Sequence, residues 1–448
     1  MDNTLDKDGF TKRLNRYIQI TGQVGGLLTR LGVDKYLGLN LDKKSHALNL
    51  KRDLGEVKGP FMKIAQLLSM IPDAIPKEYA NQLIELQSKA PSMGKFFVRR
   101  RMRNELGDNW NKKFSFFNEQ ASFAASLGQV HKGKLTNGEL VACKLQYPNM
   151  LSTVKVDLKQ LEIILDLFEK YNKAIKTKKI HSEISQRLYE EIDYKKEIYN
   201  MGIFQNIFSD DTNVHIPEVF KKNSTEKLIT MSWLEGLPVE QTIRINNNKK
   251  IKERIAKNIF NAWYKPFYNF AVIHGDPHFG NYSFVKDGSI NLYDFGCIRI
   301  FSVKFVKAVI DLYYALKNND TELCVKAYQT WGFKKINKDL IKILNLWASY
   351  IYGPLLEDKK RLIQGDGKRG YGFDVANKVY KELKKVGGIE PPREFVFMDR
   401  AAIGMGSLFM RLDVELNWHE LFNNLIKDFK LVDLKRNQKI LLGEINRS

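Results

Sequence analysis

The chain has 448 residues and a hydrophobic content of 44%, enough for a real core in two or three domains or in one large two-lobed unit. A formal net charge of +21 favours anionic partners, namely a phospholipid surface, nucleotide phosphates or nucleic acid. Its three cysteines, Cys143, Cys297 and Cys324, show no metal-type spacing. This argues against a zinc site or a disulfide framework and favours a reducing compartment.

Neither a signal peptide nor a membrane span is predicted. The N-terminus lacks a basic stretch followed by an apolar one, and no apolar run approaches the roughly 18 residues that a span needs. We therefore expect a cytoplasmic protein that lies peripherally on the inner face of a membrane where it meets one. The loosely amphipathic stretch Tyr17–Leu39 would touch lipid or dock on the body of the protein, and a poorly packed extension is the alternative.

A better-defined helix is predicted over Leu54–Met70, because apolar residues recur near helical spacing until Pro72 stops it. Within it, Lys63 and Gln66 lie three residues apart on one helical face, which would ordinarily be exposed. A basic helix is predicted further on, over Phe96–Leu106.

A run of small residues then leads into a predicted hairpin. Its two strands flank Asn137-Gly138, a strong turn signal, and the second strand carries Lys144 in a V-A-x-K pattern typical of a kinase small lobe. The glycine-rich loop of kinases is replaced by small residues whose backbone N–H groups would still hold phosphate. These residues are Ala124, Ala125 and Ser126, with only Gly128 after them. We expect Lys144 to bind nucleotide, and a lysine at a strand edge is the alternative.

Two long helices are predicted next, over Val154–Lys176 and His181–Phe204. The second carries Glu197, a candidate partner that would position the strand lysine against the phosphates, with a solvated acidic face as the alternative. Further strand signal leads to Ile229–Gly236, an apolar stretch ending in glycine that suits a hinge between lobes. Backbone groups there, at Met231 among others, would read the edge of an adenine.

Two motifs near residue 280 carry the candidate chemistry. The stretch His274–Asn281 has the D-x-x-x-x-N spacing of a kinase catalytic loop, and Tyr293–Gly296 contains D-F-G. Short apolar strands around Asp287-Gly288 predict a hairpin that brings the two motifs side by side. Asn281 and Asp294 would then hold one Mg²⁺, a hard cation that prefers oxygen ligands and shares them with phosphates.

Within the first of these motifs, Asp276 would take the proton of an incoming hydroxyl group or water. We interpret His278 as a residue that packs the loop rather than as a catalyst. Chance occurrence of both motifs in solvated turns is the alternative, and it is disfavoured because their spacing and their predicted context agree.

After the D-F-G motif the pattern is helical. The predicted helices are Phe305–Lys317, Asp320–Thr330, Asp339–Leu356, Phe373–Lys385, Pro392–Leu412 and a last one from Leu421, frayed toward Ser448. Together the elements predict an α+β, atypical protein-kinase-like two-lobed fold, with an antiparallel-sheet N-lobe and a helical C-lobe. We divide the chain into an extension over 1–53, a helical extension over 54–110, an N-lobe with a helical insert over 111–236 and a C-lobe over 237–448.

In combination these residues resemble the UbiB family of atypical kinase-like proteins, over most of the chain. Lys63-Ile-Ala-Gln66 is similar to the K-x-G-Q signature of that family, and Glu191-Ile-Asp193 to its E-x-D motif. Ala65 replaces the signature glycine, and Phe123 replaces an alanine of the alanine-rich loop. The remaining matches are Ala124, Ala125, Ser126, Lys144, Glu197, Asp276, Asn281 and Asp294.

The resemblance implies that the K-x-G-Q helix folds over the active site, so that Lys63 and Gln66 face Glu191, Asp193 and the nucleotide. It implies binding of ATP with Mg²⁺, and an ATPase-like activity more than phosphorylation of proteins in trans. It also implies a role in ubiquinone (coenzyme Q) synthesis at the membrane surface. The implied partners are quinone-synthesis enzymes or lipid intermediates rather than nucleic acid, and a homodimer stays open.

Two other functions stay open as well. The H-G-D-x-H-x-x-N pattern also marks small-molecule phosphotransferases such as aminoglycoside and choline kinases, which lack the helix with Lys63 and Gln66 and the E-x-D motif. A non-catalytic, nucleotide-sensing scaffold of a lipid-synthesis complex would keep the same residues without turnover.

Overall fold

The computed structural model describes residues 93–124, 127–171, 177–245, 248–276, 279–363, 378–379, 382 and 392–445. Some of the predictions fall outside these residues. They are the predictions for the N-terminal segments with Lys63, Ala65 and Gln66, for Ala125, Ser126 and His278, and for most of the helix Phe373–Lys385.

The described residues form helices and short strands. The helices are α1 Lys95–Leu106, α2 Met150–Tyr171, α3 Thr177–Glu191, α4 Tyr194–Ile207, α5 Val239–Ile245, α6 Lys249–Phe270, α7 Val303–Asn318, α8 Thr321–Trp331, α9 Lys338–Leu356, α10 Arg393–Leu412, α11 Trp418–Ile426 and α12 Leu431–Ile445. The strands are β1 Phe114–Phe117, β2 Phe123–Ala124, β3 Gly128–Leu135, β4 Leu140–Gln146, β5 Val214–His215, β6 Leu228–Ser232, β7 Val272–His274, β8 Tyr282–Phe284, β9 Ile290–Leu292 and β10 Ile298–Ile300.

The described chain divides into two compact units. The first contains the described residues up to Glu197 together with Val219–Trp233, and the second contains Ile198–Glu218 and the chain from Leu234 onward. The chain therefore returns to the second unit within Ile229–Gly236, the stretch for which the sequence predicts a hinge.

The first unit is built on an antiparallel sheet. Its strand order is β1-β3-β4-β6, and β2 also pairs with β3. Asn137-Gly138 lies in the turn between β3 and β4, as predicted, and Gly138 has φ 94°, in the region that favours glycine. One face of the sheet packs on α1 through buried apolar side chains. These are Val98, Met102, Phe114, Leu135, Val141, Cys143, Leu145 and Leu228.

The second unit combines small sheets with packed helices. β8 and β9 form the predicted hairpin, β5 adds to β9 in parallel, and β7 pairs antiparallel with β10. α6 is the central helix, because its buried aromatic side chains contact two other segments. Phe260 and Tyr268 contact Trp418 and Phe422 of α11, and Phe267 meets Phe301 edge-on. This helix leads through Ala271 into β7 and from there into the predicted catalytic loop. The predicted α+β class is confirmed.

Two predicted helices are wrong in extent, because each is two helices. The stretch His181–Phe204 is interrupted between α3 and α4, where Asp193 Oδ1 accepts a hydrogen bond from the backbone N–H of Lys196 at 3.0 Å and so caps α4. The C-terminal stretch is likewise divided into α11 and α12. Among the described helices, none is both long and apolar enough to cross a membrane.

Candidate functional site

A buried ion pair joins two of the predicted site residues in the first unit. Lys144 Nζ, on β4, donates to Glu197 Oε1, on the first turn of α4, at 2.6 Å. Lys144 is 8% exposed and Glu197 is 2% exposed. A buried ion pair recovers the free energy lost on desolvation only with good geometry, and the 2.6 Å separation provides it.

The neighbours of this pair hold it in place. The Lys144 ammonium lies 5.4 Å from the ring centroid of Tyr194, the first residue of α4. Gln146, two residues after the lysine on β4, donates from Nε2 to the Ile192 carbonyl at 2.8 Å, which fixes the segment that precedes α4. A Cβ on Gly128 would lie 2.5 Å from the Leu145 carbonyl oxygen and 2.9 Å from the Tyr194 hydroxyl, so glycine is required there.

The predicted E-x-D motif has a visible structural role at Asp193. Its carboxylate caps α4, three residues ahead of the backbone N–H that it binds. Glu191 is half-buried at the end of α3. The sequence analysis did not single out Glu190, which is buried and accepts hydrogen bonds from Lys196 Nζ at 3.1 Å and Gln186 Nε2 at 3.0 Å. The contact of the motif with nucleotide stays a prediction.

The sheet register decides which residues share a face with Lys144. Lys144 lies opposite Ile229, and Ala142, two residues earlier on the same strand, lies opposite Met231. Since side chains alternate along a strand and opposite residues share a face, Met231 and Lys144 are on one face. Ala124 lies opposite Gln129, so its side chain is on the other face and only its backbone fits the predicted phosphate loop.

An aromatic contact lies on the same face as Lys144. Phe123, the residue that departs from the family pattern, stacks on Trp233 with ring centroids 6.1 Å apart and an interplanar angle of 24°. Lys132 Nζ lies 4.4 Å from the centroid of the same indole ring. Stacking therefore holds the start of the small-residue loop against the end of β6. The aromatic residue at position 123 is the one feature of the sequence that points to this contact.

In the second unit, hydrogen bonds organise the predicted catalytic loop. Asn281 Nδ2 donates to the Asp276 carbonyl at 2.9 Å, so the two residues of the D-x-x-x-x-N spacing are in contact. His274 Nε2 is 2.7 Å from the Asp294 carbonyl oxygen, which ties the start of this loop to the D-F-G segment. Burial raises the pKa of the Tyr282 hydroxyl, and the negative charge of Asp276 raises it further. Tyr282 therefore stays neutral next to the candidate base.

In the predicted metal loop, Asp294 has a left-handed backbone conformation. Its φ is 57°, a value that a non-glycine residue adopts at a cost and that Asp and Asn adopt more readily than most. Its Oδ1 accepts from the Gly296 backbone N–H at 3.2 Å, and Phe295 is fully buried with its carbonyl bonded to Asn200 Nδ2 at 2.8 Å. The Tyr293 N–H donates to the Asn281 carbonyl at 2.8 Å, so the structure brings the Asn281 and Asp294 loops together.

The donor set of these loops fits magnesium bound with phosphates. One amide oxygen and one carboxylate are hard ligands, and Mg²⁺ keeps several waters or substrate oxygens around such a partial set. Within the residues that the structure describes, no three His, Cys, Asp or Glu side chains cluster as a self-sufficient metal site.

An antiparallel sheet with a lysine–glutamate pair, followed by D-x-x-x-x-N and D-F-G loops on a β hairpin, defines a protein-kinase-like protein. A family model described as ABC1 atypical kinase-like domain matches residues 85–328, more than half of the chain. The chain therefore belongs to the ABC1 family of atypical kinase-like proteins, and the resemblance to UbiB proteins is confirmed.

Named relatives agree with this assignment. The chain is 29% identical to the chloroplastic protein ACTIVITY OF BC1 COMPLEX KINASE 3 of Arabidopsis thaliana, over 74% of this chain and 47% of that protein. It is 30% identical to the mitochondrial atypical kinase COQ8 of Saccharomyces cerevisiae, over 56% of this chain and 50% of that protein. The chain thus spans about half the length of these curated relatives.

A solved structure shows the same fold. The chain is similar to Rv3197 of Mycobacterium tuberculosis, solved as a complex with erythromycin, with a TM-score of 0.59 and 24% identity. The similarity covers 85% of this chain and 96% of that one. The predicted kinase-like α+β fold is therefore confirmed, and at this identity the likeness concerns the fold alone.

Proposed function

We propose that the protein is an atypical kinase or ATPase that binds Mg²⁺-ATP and supports ubiquinone synthesis at a membrane surface. Membership of the ABC1 family supports the kinase-like class. The binding of Mg²⁺-ATP is supported by the residues that this chain keeps at the positions where a kinase binds nucleotide and metal.

The observation that carries the proposal is the pair of loops joined by the hydrogen bond from the Tyr293 N–H to the Asn281 carbonyl. It places the side chains of Asn281 and Asp294 on neighbouring loops at the end of one hairpin. Because Asn281 Nδ2 already donates to the Asp276 carbonyl, Oδ1 is the amide atom suited to a cation. These two side chains hold Mg²⁺, which neutralises charge on the phosphates.

The remaining residues bind and orient the reactants. Lys144 neutralises phosphate oxygens and is itself oriented by Glu197, whose carboxylate lies 2.6 Å away. Asp276 takes the proton of the attacking hydroxyl group or water. Two hydrogen bonds stabilise the left-handed backbone conformation of Asp294. The Gly296 N–H donates to the Asp294 carboxylate, and Asn200 Nδ2 donates to the Phe295 carbonyl.

Replacing Asp294 with asparagine tests the metal assignment. In the unchanged protein, ATP with Mg²⁺ at about 100 times its dissociation constant should stabilise the fold by about 2.7 kcal/mol, read as a rise in melting temperature. Asp294→Asn removes a charged ligand, so we expect the melting temperature with ATP to become independent of Mg²⁺. In a deletion strain, the same variant should fail to restore the ubiquinone level.

The matched control is Asp287→Asn in the turn of the same hairpin. Asp287 Oδ1 accepts from the Ser289 backbone and hydroxyl, bonds that lower the pKa of the carboxyl group and that an asparagine oxygen can keep. This variant should keep the full Mg²⁺ response and the full ubiquinone level. A Mg²⁺ response in Asp294→Asn equal to that of the control would refute the metal assignment, and restored ubiquinone in both variants would refute the catalytic role in quinone synthesis.

A further inference from the structure

Three polar side chains lie in the otherwise apolar hairpin between the two candidate metal loops. Ser283 on β8 and Asn291 on β9 are directly opposite each other and are 7% and 1% exposed. Asn291 Nδ2 donates to Ser283 Oγ at 2.8 Å, and Ser283 Oγ is 2.9 Å from the hydroxyl of Tyr293. Buried polar groups of this kind are costly unless every one is bonded.

The direction of these hydrogen bonds follows from counting protons. The Tyr293 hydroxyl donates its single proton to the Leu234 carbonyl at 3.2 Å, so it must accept from Ser283. Ser283 in turn accepts from Asn291, whose other amide proton goes to the Glu235 carbonyl at 3.0 Å. Through this chain of hydrogen bonds, the side chains of the hairpin donate to two consecutive backbone carbonyls, those of Leu234 and Glu235.

The orientation of the Asn291 amide is fixed from its other side. His215 Nδ1, on the parallel strand β5, is 3.0 Å from Asn291 Oδ1. Both amide protons of Asn291 are used by Ser283 and Glu235, so its oxygen is the atom that faces the imidazole. His215 Nε2 lies 3.1 Å from the Thr212 carbonyl oxygen, so the neutral ring donates to Asn291 only in the tautomer with the proton on Nδ1. A reversed amide would place an oxygen against the Glu235 carbonyl.

The backbone after these carbonyls is held equally closely. A Cβ on Gly236 would collide with Ser283 Oγ and Asn291 Nδ2, so the close approach requires glycine. Leu237 and Phe284 then exchange two backbone hydrogen bonds of 2.9 Å each. The segment Leu234–Leu237, by which the chain returns to the second unit, is thus fastened to the hairpin residue by residue.

Tyr293 joins this segment to the candidate metal loops. Its N–H donates to the Asn281 carbonyl, its hydroxyl donates to the Leu234 carbonyl, and the next residue is Asp294. We propose that Tyr293, together with Ser283 and Asn291, is a positioning residue that couples the metal-binding state of Asn281 and Asp294 to the backbone at Leu234–Leu237. The coupling to metal rests on the proposed function, while the anchoring of the segment does not.

The coupling has two consequences. The carbonyls of Leu234 and Glu235 each accept one side-chain hydrogen bond, so one lone pair on each oxygen is left for another donor such as the amino group of a nucleobase. A displacement of Asp294 also moves the adjacent Tyr293, and the Leu234 carbonyl then loses its donor. A bound cation that holds Asp294 in place keeps this hydrogen bond. Loading of Mg²⁺-nucleotide is therefore expected to slow hydrogen exchange in this segment.

Tyr293→Phe removes the hydroxyl while leaving the ring. The matched control is Tyr352→Phe, which removes another buried tyrosine bond to a carbonyl in the same unit, from Tyr352 to Val309 at 2.9 Å. Without ligand, we expect amide hydrogen exchange in the peptide that covers Leu234–Leu237 to become about fivefold faster in Tyr293→Phe, because one hydrogen bond is lost. The control should show no change. Ser283→Ala breaks the same chain of donors and should give the same result if Tyr293→Phe does not fold.

The second measurement is the Mg²⁺ concentration that gives half of the ATP-dependent stabilisation. It should rise about fivefold in Tyr293→Phe and stay unchanged in Tyr352→Phe, with ATP binding in the absence of Mg²⁺ equal in all three proteins. Unchanged exchange at Leu234–Leu237 in both hairpin variants would overturn the anchoring. Faster exchange with an unchanged Mg²⁺ requirement would overturn the coupling. If ATP and Mg²⁺ stabilise none of the proteins, the proposed function fails and the exchange measurement still decides the anchoring.

Discussion

At the scale of single residues, the Lys144–Glu197 pair is the place in the first unit where stability and the proposed nucleotide binding can be tested together. Both side chains are almost fully buried, and their oxygen and nitrogen lie 2.6 Å apart. The two charges compensate one another, so neither can be removed alone without leaving a buried charge in a poorly solvated place. The cation–π contact with Tyr194 adds to the fixed position of the lysine.

Glu197→Gln should destabilise the protein more than its small chemical change suggests. The carboxylate charge is lost while the ammonium group stays buried, and such a loss typically costs about 3 kcal/mol of unfolding free energy. Lys144→Met in the same chain should recover most of that stability, because the unpaired charge is then gone. Urea unfolding of the two single variants and the double variant measures this cycle.

The double variant separates folding from function. It should fold with stability near that of the unchanged protein and give no ATP-dependent rise in melting temperature. ATP stabilisation of the double variant equal to that of the unchanged protein would show that Lys144 has no part in binding. A loss of unfolding free energy in the double variant equal to the sum of the two single losses would show that the two residues do not interact.

At the scale of elements, helix starts were easier to predict than helix interruptions. The predicted helices beginning near Phe305, Asp320 and Asp339 begin within two residues of those positions, because the side chains of Ser302, Asp320 and Asn337 cap them. The break before α4 was missed. An aspartate inside a long periodic stretch looks like one more exposed acidic residue until its carboxylate is seen to accept from Lys196.

Asp193 tests whether the E-x-D motif is structural or also binds nucleotide. Asp193→Ala removes the cap of α4, so we expect a loss of about 1 kcal/mol in unfolding free energy. Asp193→Asn keeps a capping oxygen and removes the charge, so stability should stay close to that of the unchanged protein. The decisive measurement is the ATP affinity of Asp193→Asn in Mg²⁺.

The two readings of Asp193 separate cleanly in that variant. Weaker ATP binding at unchanged stability would support the nucleotide role that the family resemblance implies. Unchanged binding and unchanged stability would leave Asp193 as a helix cap only. Lys195, the exposed neighbour that pairs with Glu226, offers a control, since Lys195→Gln changes a charge on the same turn without touching the cap.

At the scale of the whole molecule, motif spacing selected the candidate site residues, and tertiary contacts determine what holds them in place. Lys144, Glu197, Asp276, Asn281 and Asp294 were all identified from sequence, because each belongs to a pattern with a fixed chemical meaning. The chain of donors through Ser283, Asn291 and Tyr293 was not. Ser283 and Asn291 lie within short strands whose neighbouring residues are mainly apolar, and Tyr293 directly follows the second strand. The carbonyls of Glu235 and Leu234, which accept from Asn291 and Tyr293, lie more than fifty residues away in the sequence.

The net charge of +21 makes a prediction that belongs to the chain as a whole. Part of the excess lies on one exposed face of α1, where Arg99, Arg100 and Arg103 follow Phe96, whose side chain is 89% exposed. Arg99 is paired with Glu119 at 2.6 Å, and that pairing lowers the pKa of the Glu119 carboxyl group. Arg103 is paired with Asp108 at 3.3 Å, but both of those side chains are mostly exposed and such a pair is weak, so Arg100 and Arg103 are the better residues to test. We expect this face to contribute to binding of anionic phospholipid.

Sedimentation with vesicles measures that contribution. Binding to phosphatidylglycerol vesicles should exceed binding to phosphatidylcholine vesicles, and it should weaken as salt rises from about 0.1 M to about 1 M, because the Debye length falls from about 10 Å to about 3 Å. The double variant Arg100→Gln with Arg103→Gln should bind anionic vesicles about thirtyfold more weakly, at roughly 1 kcal/mol for each charge. Lys338→Gln with Lys342→Gln, on α9, is the control of equal charge. Equal losses in the two double variants would mean that net charge alone drives the binding, and equal binding to both kinds of vesicle would exclude an anionic lipid surface as the partner.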